Sequence, residues 1–274
     1  MSLPILTSLP NEIRGYTGLP GEQIHCREQG NGTPLILLHQ ALWSSIHFHR
    51  VMPLMAAKGF RVIAPDMPGH GMSSPPKEAP TIPLYAETVI RLMDGLGIER
   101  AAVAGHHGGA MVAGRLAAAF PDRVARAAFD TLPFFNDAER AQFETREPIP
   151  HRIKPDGSHF TDRWRGVRER GDPEWSDTTA HIAVTTFFCN GPWREQGFDA
   201  AFTYDFEPDA PKISCPVLAV YGRTDPAWSH RERLRSVRPD FSYDEFAGAA
   251  GMILERPAEW VAKMAPFLRG TKTP

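Results

Sequence analysis

Disulfides are the first thing this sequence lacks. Its three cysteines, Cys26, Cys189 and Cys215, are odd in number and far apart, so they form neither a disulfide framework nor a metal knuckle. They read as free thiols of a reducing compartment, and a cytoplasmic location is expected. No apolar run approaches the roughly 18 residues of a membrane span. The opening "MSLPILTSLPNEIR" has no basic start followed by a long apolar block, so no signal peptide is expected. Charge of one sign is missing too. Thirty Lys and Arg against 32 Asp and Glu leave a net charge of -2, which gives no argument for nucleic acid or an anionic membrane as partner. Repeats and low-complexity segments are absent. Histidine is scarce in one place: of 11 histidines, none follows His230.

What remains is an ordinary globular composition, 42% apolar and 23% charged over 274 residues. That length suffices for one large α/β domain or two smaller ones. Short apolar runs alternate with helical spacing. "EQIHCREQG" alternates in part and ends in the turn "GNGTP". "PLILLHQ" and "RVIAPDMPGHG" read as buried strands, the second stopped by Pro68 and Gly69. "HFHRVMPLMAAKGF" predicts a helix with Val51, Leu54 and Met55 inward. "LYAETVIRLMDGLG" predicts an amphipathic helix with Val89, Leu92, Met93 and Leu96 on one face. "AAVAGHH" and "VARAAFD" predict two more strands around the small-residue helix "GAMVAGRLAAAFP". From about Phe134 to Pro211 no buried strand is visible, and Trp, Phe, Pro and charge dominate. The pattern then resumes with "PVLAVYG", "HRERLRSVRP", "FSYDEFAG" and "PAEWVAKMAPFL". The expectation is an α/β fold with a doubly wound, mostly parallel sheet. Its core would comprise residues 1–133 and 212–274, with residues 134–211 as an inserted helical cap.

In this order, the pieces from Gln23 to Leu268 resemble the α/β-hydrolase fold. "PLILLHQALWSS" is similar to the strand and loop that supply half of that family's oxyanion hole. "RVIAPDMPGHGMSS" resembles its D-x-P-G-x-G-x-S turn. "VAGHHGGAMVAGRLAAAFPDRV" has the shape of the nucleophile elbow. "CPVLAVYGRTDP" resembles the strand that ends in the catalytic acid, and "GAAGMILERPAEW" the segment that carries the catalytic histidine. The resemblance implies a serine that attacks, a histidine that takes its proton and a carboxylate that orients the histidine. Here Gly105 and Gly109 keep the frame of the elbow, Gly108 follows the nucleophile position, and His107 occupies it. Asp225 matches the acid. The terminal histidine has no counterpart, Ala250 or Gly251 standing in its place, and the usual His-Gly of the oxyanion loop reads His39-Gln40. On this alignment the serine acyl-enzyme route is excluded.

The residues that remain suggest other chemistry. His107, with an ordinary pKa of about 6.5, suits a general base or nucleophile at neutral pH. Its partner is Asp225 or Asp130, the latter at the end of "RAAFDTLP". Asp225 could instead pair with His230. Backbone N–H groups of Ala41 and Gly108 would form an oxyanion hole, with the Gln40 amide as an added donor. Trp43 is expected to line the pocket, and Ser44 or Ser45 to cap the next helix. His106 is placed against the neighbouring loops or in support of His107. His47 and His49 lie two apart on a predicted helix and share no face, so a metal set of His39, His47, His49, His106 and His107 is not expected. His39 and His70 read as parts of the turns, and His159 as a surface or cap residue. "GHHGG" is not a dinucleotide motif, and no cofactor is expected. The expected partner is a small-molecule substrate, with homo-oligomerisation left open.

Two mechanisms fit. His107 activates water against an ester, lactone or similar electrophile, or it removes a substrate proton in a lyase, cyclase or cofactor-independent oxygenase. Hydrolysis ranks first because the frame offers donors to a tetrahedral oxyanion. The reading from another class is a binding protein that keeps the pocket and has no turnover.

Overall fold

The apolar runs become the central strands. A computed structural model describes residues 11–145, 153–191, 193–248 and 252–270. Its strands are β1 (Glu12–Thr17), β2 (Ile24–Gln29), β3 (Thr33–Leu38), β4 (Phe60–Pro65), β5 (Ala101–His106), β6 (Val124–Asp130), β7 (Val217–Gly222) and β8 (Ser242–Phe246). They form one sheet in the order β1-β2-β4-β3-β5-β6-β7-β8. β2 is antiparallel to β1 and β4, and the other pairs are parallel.

The helices are α1 (Met52–Ala57), α2 (Ile82–Gly95), α3 (Gly108–Ala119), α4 (Asp137–Glu144), α5 (Ser158–Arg170), α6 (Asp177–Cys189), α7 (Arg194–Phe202), α8 (His230–Val237), α9 (Met252–Glu255) and α10 (Pro257–Arg269). Strand side chains alternate between two cores. Ile36, Leu38 and Val103 pack on one face with Val89, Leu92 and Met93 of α2 and Met111 of α3. Leu35, Leu37 and Ala104 pack on the other with Met52 and Met55 of α1 and Trp260 of α10. The sheet is thus covered on both faces, as its apolar strands require.

Two elements differ from the sequence reading. β1 has no counterpart among the expected strands, because "EIRGYT" lies at the sheet edge and shows no apolar face. The helix expected from His47 is split into a 3-10 turn, Ser45–Phe48, and the shorter α1. Pro53 explains the break: it has no N–H to continue a helix and opens one instead. Leu54 accordingly faces outward, and Met52 fills the core with Val51 and Met55.

Among the described residues, four helices, α4 to α7, occupy the stretch between β6 and β7. Ser176 caps α6 by accepting from the Thr179 N–H, and Asn136 and Glu139 form a capping box on α4. Trp43 and Ile46, just after β3, join Val167 of α5, Ala180, Ile182 and Val184 of α6, and Leu254 of α9 in a third apolar cluster. That cluster fastens the helical segment to the carboxyl edge of the sheet.

The turn from β5 to α3 is as tight as backbone allows. A Cβ added at Gly105 would stand 2.1 Å from the Gly109 carbonyl oxygen, and one at Gly109 would stand 2.0 Å from the Leu38 carbonyl oxygen. Backbone cannot yield as a flexible side chain can, so Gly109→Ala is expected to cost more than about 3 kcal/mol. Gly15→Ala, with nothing within 4 Å, should stay within about 0.5 kcal/mol of the parent. Urea denaturation of the two variants checks the contrast.

Candidate active site

The parallel strands β3 to β7 end on one edge, and their loops converge there. His107 sits at the β5–α3 turn with φ 47° and ψ −115°, a backbone conformation that non-glycine residues seldom adopt. Asp225 follows β7. The two strands are separated by β6, yet the side chains meet: His107 Nε2 lies 2.8 Å from Asp225 Oδ2. A carboxylate only accepts, so Nε2 carries the proton and donates. Asp225 is fixed from behind by the Ala227 N–H, 2.8 Å from Oδ1. The His107 side chain is 22% exposed and that of Asp225 is fully buried. His107 Nδ1 makes no hydrogen bond with any described residue.

Burial alone would pull the His107 imidazole down. The charge and hydrogen bond of Asp225, with Asp130 further off, outweigh it and hold the imidazole above its usual range. Burial likewise pushes the Asp225 carboxyl up. His107, the Ala227 N–H and the nearby His106 reverse that and hold it below the usual carboxylate range.

Asp130 does not contact His107. Its Oδ2 accepts from Trp260 Nε1 at 2.8 Å and stands 3.3 Å from His106 Nδ1, out of line for a hydrogen bond. His106 is buried behind His107, their rings stacked with centroids 4.3 Å apart, so it is a backing residue and not a wall of the pocket. His47 continues this column, 5.3 Å from His106, and burial holds it well below its usual range. Its two ring nitrogens, like those of His106, have no hydrogen-bond partner among the described residues. His230 is engaged elsewhere, with Nδ1 accepting from the Phe134 N–H at 3.0 Å.

A pocket of about 60 Å³ opens at His107, lined by Gln40, Ala41, Gly108, Pro133, Phe135, Phe198, Ala201 and Phe202. The N–H groups of Ala41 and Gly108 donate to no other described residue. The two backbones lie close, since a Cβ on Gly108 would stand 3.6 Å from the Ala41 nitrogen. Gln40 is a wall residue, while its carbonyl accepts from His39 Nδ1 at 2.8 Å. His39 Nε2 accepts from the Met67 N–H at 3.0 Å, which makes His39 a neutral clamp between two loops. Trp43 does not line the pocket. Leu42 turns the chain at φ 67°, and the indole packs on His47 and Trp175 instead. Neither serine caps by its side chain. Ser44 makes no capping bond, and Ser45 Oγ accepts from Arg27 Nε. Ala250 and Gly251 lie outside the described residues. Among the described residues no group of three or more His, Cys, Asp or Glu is placed to hold a metal.

Several residues of the site carried no sequence signal. Phe135, Phe198 and Phe202 come from the helical segment, where any aromatic could equally serve that segment's own core. Trp260 lies far along the chain in an amphipathic pattern that its core role already explains. Asn190, after α6, donates from Nδ2 to the Leu42 carbonyl at 2.9 Å and accepts the Gly71 N–H at 2.9 Å.

Comparison with known proteins now decides the family. The profile of the α/β-hydrolase fold matches residues 33–242. The chain belongs to the α/β-hydrolase fold family. Among curated relatives, this α/β-hydrolase is 31% identical to an epoxide hydrolase of Caballeronia sordidicola over 173 residues, 62% of this chain and 51% of that protein. It is 35% identical to the bifunctional epoxide hydrolase 2 of Mus musculus over 129 residues, 46% of this chain and 23% of that one. The chain thus spans about half or less of these relatives. The enol-lactonase of Burkholderia xenovorans LB400 superposes with a TM-score of 0.73 at 23% identity, covering 93% of this chain and all of that one. An epoxide hydrolase from an endophytic Streptomyces gives a TM-score of 0.77 at 20% identity, covering 95% and 96%. At that identity the last two speak for the fold. Among the described residues no helix is long and apolar enough to cross a membrane.

The His107–Asp225 pair sets a pH window. The raised imidazole adds stability that is full below about pH 6.5 and lost as pH rises through the folded value. The lowered carboxyl adds stability present above about pH 3.9 and lost as pH falls through its folded value. Histidine NMR titration is expected to place His107 above about 6.5 in the parent. In Asp225→Asn the burial that remains should carry it below that value. A value unmoved by the substitution would break the assignment of this pair.

Proposed function

We propose that this α/β-hydrolase is a hydrolase of small electrophiles that uses His107 as general base without a covalent serine intermediate. One observation carries the reading: His107 is bonded through Nε2 to a buried carboxylate, while Nδ1 has no partner among the described residues and stands beside a pocket walled by Ala41 and Gly108. Water gives a proton to Nδ1 as its oxygen attacks the electrophilic carbon. The imidazolium so formed is held by Asp225 through the Nε2–H bond. With an ester or lactone, the oxyanion accepts from the Ala41 N–H of the loop after β3 and from the Gly108 N–H at the head of α3, where the helix dipole adds to it. Collapse expels the alkoxide, which takes the proton back from Nδ1. Acid and alcohol leave, and the base is restored.

The small apolar walls favour a compact substrate. An ester or lactone uses both halves of the site, and the relatives named epoxide hydrolase extend the class to epoxides. A general base of this kind supplies roughly 10²- to 10⁴-fold in rate. His107→Ala is therefore expected to lower kcat on a responsive ester, lactone or epoxide by about 10³-fold, with KM little changed. A screen of short esters, lactones and epoxides, followed by steady-state kinetics, tests it. Turnover that survives in His107→Ala rejects the general base, and tight ligand binding without conversion rejects hydrolysis.

A further inference from the structure

A second, narrower chamber adjoins the catalytic pocket on the far side of Gly108. It measures about 10 Å³, room for one water-sized group, and is lined by His39, Met67, His70, Ile82, Tyr85, Val112 and Gly197. Ala41, Gly108 and Ala201 are walls of both spaces. Gly108 has no side chain, and a Cβ there would stand 3.1 Å from that of Ala201, so the partition is thin.

The chamber holds two polar atoms that the protein leaves unsatisfied. Tyr85 is 4% exposed and His70 1%, and neither the Tyr85 hydroxyl nor His70 Nε2 has a hydrogen-bond partner among the described residues. Their rings meet edge to face, centroids 6.3 Å apart. His70 Nδ1 faces the Pro68 carbonyl at 3.4 Å, which can only accept. Nδ1 therefore holds the proton and Nε2 is an acceptor. Burial and the neighbouring His39 keep this imidazole neutral, with its pKa down at about 3. The α7 backbone closes the space at Gly197, where a Cβ would stand 2.6 Å from the Tyr85 hydroxyl oxygen and 2.7 Å from His70 Cε1. Buried polar atoms left open in this way ask for a partner.

We propose that this chamber is the specificity end of the substrate pocket and that it takes a hydroxyl group of the substrate. A hydroxyl donates to His70 Nε2 and accepts from Tyr85 at once. A carbonyl would leave Nε2 open, and an alkyl group would leave both open. The remaining walls, Met67, Ile82 and Val112, reject charge. The proposal rests on the catalytic reading of the His107 pocket. It narrows the substrate class to a compact, neutral electrophile that carries a hydroxyl on the side away from the phenylalanine wall.

The test uses two ketones that are not hydrolysed, butanone and 4-hydroxy-2-butanone, with binding to the full chain followed by ligand-observed NMR. The parent is expected to bind the hydroxyketone at least about tenfold more tightly. In Tyr85→Phe the gap should fall below about threefold, with melting temperature unchanged because the hydroxyl has no bond to lose. Should Tyr85→Phe fail to fold, Gly197→Ala, which fills the chamber, is expected to abolish the same preference. Equal affinity in the parent, no measurable binding of either ketone, or a preference that survives these substitutions overturns the proposal. A chamber that holds a fixed water alone gives the first of these. Failure of His107 as a base shows separately, in ester, lactone or epoxide turnover, and leaves the ketone result standing.

Discussion

The close approach of backbone at the β5–α3 turn is the constraint on which the site depends. Gly105 and Gly109 have no side chains, so α3 can start against the ends of β5 and β3. His107 pays for that proximity with a positive φ. In return, its ring projects beyond the sheet edge, and the Gly108 N–H points out of the first turn of α3 with no intrahelical acceptor. One local strain therefore places both the imidazole and the N–H at the pocket. Loosening the turn would displace the two together.

Electrostatics then separates two carboxylates that look alike in the chain. Asp130 closes β6, Asp225 follows β7, and both are buried. Asp130 is occupied by an indole N–H from α10, whereas Asp225 has one oxygen on a backbone N–H and the other on His107. The partner, and not the burial, decides which one bonds the imidazole. Behind His107 lies His106, stacked on it, and then His47, edge-on to His106, both buried. Burial holds the outer ring, His47, well below its usual range, so the far end of the column carries no charge.

Much of the fold was legible because buried strands write themselves as apolar runs and turns as Gly and Pro. Leu35–Leu38 and Ala101–Ala104 are of this kind. β1 is illegible because an exposed edge strand needs no apolar face, and α1 is shorter than its helical spacing implies because a single proline resets where the helix begins. At the site, the glycine frame of "GHHGG" announced an unusual turn, and Asp225 carried a motif of its own. Trp43 shows the limit. A loop residue's direction depends on one backbone dihedral, that of Leu42, and no neighbouring letter encodes it. Asp130 shows another, since its indole partner lies 130 positions away and only the folded chain brings them together.

Asn190 gives the helical segment a reach beyond roofing. Its side-chain amide ties the end of α6 to two loops at once, the Leu42 carbonyl beside the oxyanion donors and the Gly71 N–H of the turn after β4. Lifting that end of the segment would cut both ties and leave Leu42 in its uncommon conformation without support. The backbone that presents Ala41 would then be free to relax. One side chain thus couples the seat of α6 to the backbone next to Ala41, a wall of the pocket.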